Sequence, residues 1–476
     1  MIAAAGLPQV HFLRCARRFR SCDDKCGFLG DGVSTVSFVQ FNLNAALEAR
    51  WLTADRARAF GRVLLIGTIV GVVGWLAFSK RGIDPFGKPL GTDFVSFWTA
   101  SELALEGPAE RAYNIPAHWD AQRSLFGPTQ DYAAFFYPPI FLLVCLPLAT
   151  LPYVWSLVAW LIITGYAYVR VVQAYLGPRL GTWPILAFPA VLLNAGHGQN
   201  GFLSAALIGA GSLIMNKRPV LAGICFGVMA YKPQLAIMIP IAMLAARRWI
   251  TIAAAAAAAA LLAAVTVLIW GLDPWRGFFQ ASPLARIALE QNLVGNEKMQ
   301  SLFAAVRLWG GGLWLAYGTQ LFLIIAVCVT LLYLQKRAFR SEAEGPAMVA
   351  AGLLATPFIL DYDLTLLAIP IAWLARRALA NEFLPGEKLV LALAYTLPLY
   401  ARTFAGKAGV PAAPFLILAV FAYVVVRGLR QEDQRRIPIV EAWTACEEKH
   451  ALARCLENGE TIAGAKIPGR KHRIHR

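Results

Sequence analysis

The stretch WITIAAAAAAAALLAAVTVLIW, residues 249–270, contains no charged side chain. A helix of this length is about 33 Å long, which is enough to cross a hydrocarbon core of about 30 Å. Its alanine run, residues 253–260, gives a thin helix that neighbouring helices can approach closely. The stretch therefore predicts a membrane-spanning helix.

The composition extends this prediction to most of the chain. Of 476 residues, 58% are hydrophobic and only 15% are charged, and apolar stretches recur from residue 63 to residue 427. These features predict an all-α polytopic membrane protein. A net charge of +16 would suggest a nucleic-acid partner in a soluble protein. Here the basic residues lie in short clusters between apolar segments and in both tails, which is typical of topology signals and lipid contacts.

The arginine and lysine clusters predict the topology. Residues 1–62 hold nine of these residues and residues 427–476 hold eleven, so both termini are expected in the cytoplasm. A topology of about 12 spans also places the remaining short basic clusters, which lie between the apolar segments, on the cytoplasmic side. The predicted spans are 63–78, 153–172, 183–195, 200–215, 219–231, 234–246, 249–270, 313–334, 346–360, 363–376, 388–402 and 411–427.

This topology divides the chain into three parts. Residues 1–62 are a basic, partly disordered cytoplasmic region, 63–427 a transmembrane domain, and 428–476 a basic cytoplasmic tail. Within the domain, residues 79–152 form a long outer loop. The apolar segment 138–151 is too short to cross a bilayer, and a crossing there would invert every later basic cluster, so we expect it to dip into the outer leaflet and return.

The N-terminal region offers little chemistry. Cys22 and Cys26 have no second cysteine pair nearby to complete a metal site. The first residues carry arginines without a continuous apolar core and cleavage site, which argues against a cleaved signal peptide.

The outer loop opens with GTDFVSFWTAS, residues 91–101, in which Asp93 precedes an amphipathic helix. Asp93 could cap this helix, or act as a general base that deprotonates a hydroxyl at the membrane face. Both roles can hold together. Glu102 could share the same face or be a solvated helix residue.

Two turns between short predicted spans carry polar side chains. GHGQNG, residues 196–201, contains His197, Gln199 and Asn200, and polar groups at membrane depth usually face a cavity. YKPQ, residues 231–234, places Lys232 and Gln234 in a hairpin too short to reach water fully. The lysine could meet a lipid phosphate or extend its ammonium to the interface.

Two further motifs complete the set. FFYPP, residues 135–139, contains Tyr137 and starts the dipping helix with prolines, which suit a helix start. ILDYDLTLL, residues 359–367, sets Asp361, Tyr362 and Asp363 at the outer mouth of two spans. These acids could cap helices, hold a metal ion or orient sugar hydroxyls.

The ordered set of DF with aromatic residues, FYPP, GQN, YKPQ and DYDL resembles the GT-C membrane glycosyltransferases, most of all glycosyltransferase family 87. The resemblance covers about residues 60–430. It implies a GT-C-like fold and an inverting transfer of a hexose, by family default mannose, from a polyprenyl-phosphate carrier to a glycolipid or glycan on the non-cytoplasmic face. Asp93 is the position that matches the family's base. Family members often have histidine near the DYD position, where this chain has Asp361, Tyr362 and Asp363.

The chemistry then gives each candidate a role. Asp93 would deprotonate the acceptor; Lys232, His197, Gln199, Asn200, Gln234 and Tyr137 would bind the donor; Asp361, Tyr362, Asp363 and Glu102 would orient sugar or acceptor. No metal or other cofactor is expected. The expected location is a bacterial inner membrane. The alternatives are a secondary transporter or flippase, whose interrupted spans would flank its site, and a non-catalytic lipid-binding subunit.

Overall fold

The computed structural model describes residues 48–80, 82–336 and 342–430, and its main compact unit begins at Trp51. Cys22, Cys26 and the C-terminal tail beyond Arg430 lie outside the described residues. Helices and their connections account for these ranges, with no β-strand among them. The α-helices are α1 (Ala54–Ala77), α2 (Phe94–Glu106), α3 (Ile115–Phe126), α4 (Pro139–Cys145), α5 (Tyr153–Leu176), α6 (Trp183–Leu186), α7 (Pro189–His197), α8 (Gly201–Ile214), α9 (Pro219–Val228), α10 (Pro233–Ala236), α11 (Met238–Ala245), α12 (Trp249–Trp270), α13 (Asp273–Glu290), α14 (Leu302–Leu308), α15 (Leu313–Lys336), α16 (Glu344–Ala355), α17 (Ala368–Asn381), α18 (Glu387–Ala408) and α19 (Ala412–Arg430).

Six of these helices are long and apolar enough to cross a membrane: α1, α5, α12, α15, α18 and α19. Each coincides with a predicted span, and α1 begins at Ala54, earlier than the predicted residue 63. The exposed side chains of α1 are largely apolar, with Val63, Ile66 and Val70 each more than 60% exposed, as expected of a lipid-facing helix. The chain is therefore an all-α polytopic integral membrane protein.

The other predicted spans correspond to shorter or broken helices. Residues 183–195 form α6 and most of α7, and 234–246 cover most of α10 together with α11. The span predicted from Asp363 begins as a 3₁₀ helix, Asp361–Leu367, and becomes α17 only at Ala368. The total of 12 spans remains a prediction. The breaks between these short helices fall where the sequence places its polar motifs.

Helix α2 is buried on nearly every face, so the prediction that it is amphipathic is wrong. Phe94, Phe97 and Ala100 are at most 1% exposed. The outer loop wraps around the helix and satisfies its small polar side chains, because Ser96 Oγ donates to the carbonyl of Ala134 and Ser101 Oγ to that of Leu146. The helix that follows Asp93 is consequently a rigid internal support.

The alanine run packs as the sequence predicts. Helix α9 lies against α12, and a Cβ added at Gly227 would come within 2.4 Å of the carbonyl oxygen of Ala255 and 2.7 Å of Ala258 Cβ. At Gly223 it would come within 2.5 Å of Ala254 Cβ. Small residues on both helices thus allow their backbones to meet.

The segment 138–151 forms α4 and a short 3₁₀ turn, Leu148–Thr150, in place of a full span. Pro139 occupies the first turn of α4, as the FFYPP motif predicts. The ring of Phe141 stacks on Tyr231, with centroids 4.9 Å apart, and meets Phe97 edge to face at 5.0 Å. The segment therefore joins the outer loop to the helix break that carries Lys232.

Candidate functional site

The GHGQN turn between α7 and α8 presses directly against the start of α2. Gly198 has a left-handed φ of 65°, and a Cβ there would lie 2.6 Å from Phe94 Cβ. Its carbonyl accepts a hydrogen bond of 3.1 Å from the Trp160 indole. Only glycine allows both the backbone conformation and this close approach.

Asp93 is held against this turn at its backbone and at its carboxylate. Its N–H donates to the carbonyl of His197 at 3.0 Å, and its Oδ2 accepts from Gln199 Nε2 at 3.1 Å. Oδ1 lies 3.8 Å from His197 Nδ1, and the two side chains are 34% and 31% exposed. Asp93 occupies the N-cap position of α2, but its side chain makes no capping bond, so the interpretation that its carboxylate caps the helix is wrong.

The Gln199 amide connects Asp93 to deeper residues. Its Oε1 accepts from the backbone N–H of Asn200 at 2.9 Å and from the Tyr137 hydroxyl at 3.4 Å. Since the oxygen is occupied in this way, the amide NH₂ group is directed at Asp93. Tyr137 thereby joins the site from the outer loop.

Two residues that sequence reasoning missed hold the turn in place. Thr92 Oγ1 lies 2.8 Å from His197 Nδ1. Asn194 is fully buried, donates to the carbonyl of Gln199 at 3.1 Å and accepts from the N–H of Gly201 at 2.9 Å. For Asn194 the sequence did contain a signal, namely an asparagine at the end of a short apolar helix. If such an amide is buried, both its oxygen and its nitrogen need hydrogen-bond partners.

Lys232 is buried, with only 3% of the residue exposed. Its ammonium donates to Asp363 Oδ1 at 2.6 Å and to Asn200 Oδ1 at 3.0 Å. The second oxygen of Asp363 accepts from the N–H of Leu360 at 3.2 Å. The expectation that the hairpin keeps this lysine from water is confirmed, and the alternative that it reaches the membrane interface is wrong.

Tyr362 lies between the two halves of the cluster. Its ring centroid is 5.8 Å from that of His197 and 5.4 Å from Lys232 Nζ. The neighbouring Asp361 accepts from the N–H of Tyr362 at 2.9 Å. Burial raises the pKa of the Asp361 carboxyl, while His197 and Arg402 act to lower it.

Two predicted site residues are not joined to this cluster. Gln234 is half-buried, and no hydrogen bond links it to the cluster within the described ranges. Glu102 is half-buried further along α2, where burial and then the charge of Glu106 raise its pKa. Their roles toward donor, sugar or acceptor stay predictions.

No group of three or more His, Cys, Asp or Glu side chains that could hold a metal ion occurs in the part of the chain that the structure describes. The absence of a metal requirement stays a prediction. Asp361 and Asp363 have different partners, the first a backbone N–H and the second Lys232.

The exposure of the cluster's side chains decreases from its open side inwards. A partly exposed carboxylate and imidazole, Asp93 and His197, lie at the open side, while the Lys232–Asp363 pair, with side chains 4% and 3% exposed, lies behind them. A carboxylate in such a position can accept a proton from a bound hydroxyl. The buried pair fixes the backbone breaks around it, because separating two buried charges is costly.

Comparison with known proteins gives a family match. The family model described as glycosyltransferase family 87 matches residues 135–360. The matched segment contains Tyr137, the GHGQN turn and Lys232, ends immediately before Asp361, and begins after Asp93. No curated protein and no solved structure matched the chain. The resemblance predicted from the sequence is confirmed, because residues 135–360 match the model of glycosyltransferase family 87.

Proposed function

We propose that this membrane glycosyltransferase moves a hexose, by family default mannose, from a polyprenyl-phosphate carrier to a hydroxyl of a glycolipid or glycan on the non-cytoplasmic face. The observation that carries the proposal is the position of Asp93. Its carboxylate is one third exposed and is oriented by Gln199 and by its own backbone contact with His197. A fixed, accessible carboxylate is what general-base catalysis requires.

In the proposed step, the Asp93 carboxylate takes the proton of the acceptor hydroxyl. The acceptor oxygen forms a bond to the anomeric carbon as the bond from that carbon to the phosphate oxygen breaks. The electron pair of the broken bond leaves on the polyprenyl phosphate. One displacement inverts the anomeric centre, and no nucleotide takes part.

The leaving phosphate needs positive charge, and the proposal assigns this task to His197 and Lys232. His197 is 31% exposed beside Asp93, so a phosphate at the opening can reach its imidazole. Lys232 is already paired with Asp363, so direct contact with phosphate would require that pair to open. Gln199, Asn200, Gln234 and Tyr137 would complete the donor contacts.

The sugar would lie against the DYD segment. Asp361 and Tyr362 adjoin His197, where carboxylate and ring can bind hydroxyl groups and the sugar face. Asp363 would support them through Lys232, and Glu102 would contact the acceptor from α2. The short helices around the cluster leave its polar turns between apolar segments, an arrangement suited to a lipid carrier with a polar head group.

The test uses purified full-length protein in lipid nanodiscs with a radiolabelled polyprenyl-phosphate hexose, and in parallel a nucleotide hexose. Candidate acceptors come from extracts of host membrane glycolipids. We expect labelled glycolipid from the lipid-linked donor only. Transfer from the nucleotide hexose, or the same product from an Asp93→Asn preparation of equal stability, would contradict the proposal. A transporter would move the lipid-linked sugar across a vesicle without forming a glycosidic bond.

A further inference from the structure

A second polar feature lies away from the cluster, at the start of α12. A cavity of about 330 Å³ is bounded there by Asn216, Pro219 and residues 246–251. Its volume falls at the lower end of the range of about 300–1,000 Å³ typical of small-ligand sites. Apolar side chains flank it, and Trp249 and Ile250 are 60% and 62% exposed. The cavity therefore opens beside a surface suited to lipid.

An ion pair with a fixed geometry forms one wall of the cavity. Arg248 donates to both carboxylate oxygens of Glu344, at 3.2 Å from Nε and 2.6 Å from Nη2, and its Nη1 donates to Asn216 Oδ1 at 2.8 Å. Glu344 is 1% exposed. This two-point contact neutralises the glutamate and fixes the guanidinium plane.

Three further basic side chains lie at or next to the cavity. Arg247 lines the cavity, and Lys217 and Arg218 occupy the turn between Asn216 and Pro219; all three are exposed. Within the described ranges none of these three side chains forms an ion pair. Arg247 also has a left-handed φ of 54°, a conformation that is rare for arginine and often marks a binding residue.

The backbone adds to this preference for an anion. Helix α12 has 22 residues, and the residues of its first turn, Trp249, Ile250 and Thr251, line the cavity. Arg248 before them provides no side-chain cap. Unpaired N–H groups and the helix dipole both favour a negative group at such an end.

We propose that this cavity binds the phosphate head group of an anionic phospholipid, with Arg247 and the first turn of α12 on the phosphate and Trp249 and Ile250 along the acyl chains. The basic clusters at 216–218 and 247–248 are predicted to face the cytoplasm, where anionic lipids attract such segments. The site does not depend on the proposed glycosyl transfer. A free phosphate compound has the same head-group chemistry, so the test separates the two sources.

The test is native mass spectrometry of the full chain released from micelles that contain equal amounts of phosphatidylglycerol and phosphatidylcholine. We expect the wild-type protein to retain phosphatidylglycerol preferentially. Arg247→Asn keeps a residue that accepts the left-handed conformation, and it should weaken retention about tenfold or more, as expected when a charge-assisted contact is lost. The double variant Lys217→Gln with Arg218→Gln should also weaken it.

Arg62→Gln is the matched control, because it removes one exposed arginine from α1 outside the cavity. It should change retention less than about twofold. Equal loss in Arg62→Gln, or no preference for phosphatidylglycerol in wild type, would overturn the proposal. Thermal stabilisation by inorganic phosphate or glycerol phosphate, equal to that by the lipid, would assign the cavity to a soluble ligand and overturn the lipid assignment.

Discussion

The Lys232 ammonium and the Asp363 carboxylate, 131 positions apart in the sequence, form a buried ion pair of 2.6 Å at the centre of the helix breaks. Asn200 accepts a second hydrogen bond from the same ammonium at 3.0 Å. Three separate segments are therefore tied to one charge. An ammonium that is shared by two partners in this way stabilises the geometry of the site itself, in addition to any ligand that binds there.

Removal of the lysine alone should destabilise the protein. Lys232→Met leaves Asp363 buried without its partner, and loss of one member of a buried pair costs about 3–5 kcal/mol. We expect a lower melting temperature in detergent for Lys232→Met and a smaller decrease for Lys232→Arg. Unchanged melting of the Met variant would contradict the buried pair.

The double variant Lys232→Met with Asp363→Leu distinguishes two roles of Lys232, structural support of the site and binding of the donor phosphate. It removes both charges, so much of the lost stability should return. If Lys232 meets the donor phosphate, the KM for the lipid-linked donor stays raised in this stable variant. Recovery of the wild-type KM would restrict Lys232 to structural support.

Gly198 and Gly196 offer a matched pair of substitutions within a single turn. Gly198→Ala places a Cβ 2.6 Å from Phe94 Cβ at a φ of 65°, and the left-handed conformation alone costs about 1–2 kcal/mol. We expect lower stability and lower transfer, because the clash displaces His197 and Gln199 from Asp93.

Gly196→Ala is the control for this substitution. Apart from its chain neighbours and the nearby backbone of its own helix, no atom lies within 4 Å of a Cβ built at Gly196. The residue belongs to α7, where alanine is preferred over glycine by about 0.5–1 kcal/mol. It should melt at or above the wild-type temperature and retain transfer. Equal melting temperatures and equal transfer rates for the two variants would show that the close approach at Gly198 is unimportant.

His118 should make the outer loop sensitive to acid. The residue is fully buried, and its Nε2 lies 2.8 Å from Thr99 Oγ1 and 3.1 Å from the carbonyl of Ser96, both on α2. Burial lowers its pKa from 6.5 to about 4. Below pH 6.5 the His118 imidazole is protonated in the unfolded chain but stays neutral in the folded protein. The free energy of unfolding therefore decreases as the pH falls from about 6.5 to 4.

The size of this loss is at most about 3 kcal/mol for one histidine with such a shift. The raised pKa values of Asp361 and Glu102 give slopes of opposite sign, so the informative comparison is with His118→Gln. Melting temperatures measured from pH 7 to pH 4 should fall less in that variant than in wild type. Parallel curves would contradict the role of His118.

The sequence was most informative where polar residues interrupt apolar segments. The motifs GHGQN, YKPQ and DYD mark helix breaks. A polar side chain at such a break lies among apolar helices, so its hydrogen-bond partner is usually another polar group from a neighbouring break. For this reason the local sequence alone indicates His197, Lys232 and Asp363 as candidates, and the structure brings them into one cluster.

The partners of these residues could not be predicted in the same way. The Lys232–Asp363 contact depends on how α9, α10 and α16 pack, and either a phosphate or a carboxylate would satisfy the same ammonium. The burial of α2 was missed because serine and threonine appear polar in sequence, although Ser96 and Ser101 satisfy their hydroxyls on loop carbonyls. Pairing across distant segments is decided by tertiary structure.

Asp93→Asn is the sharpest test of the proposed base. Asparagine keeps the size of the side chain and can still form a hydrogen bond with Gln199 after its amide is reoriented, but it accepts no proton at neutral pH. Since the Asp93 side chain makes no capping bond, we expect expression and melting temperature to stay near wild type for both the Asn and the Ala variants. Transfer should fall by about 10²–10⁴-fold, as is typical when a general base is lost.

The control for this test is Glu106→Gln, which neutralises an exposed carboxylate at the far end of α2. Transfer from a radiolabelled polyprenyl-phosphate hexose is measured in membranes that hold equal amounts of each variant, and Glu106→Gln should match wild type. A large loss in Asp93→Asn with an unchanged control assigns the missing rate to the Asp93 carboxylate, because charge is the property that the Asn variant loses while its volume stays nearly the same. An Asn variant within about threefold of wild type, far below the effect expected of a base, would remove Asp93 from the mechanism.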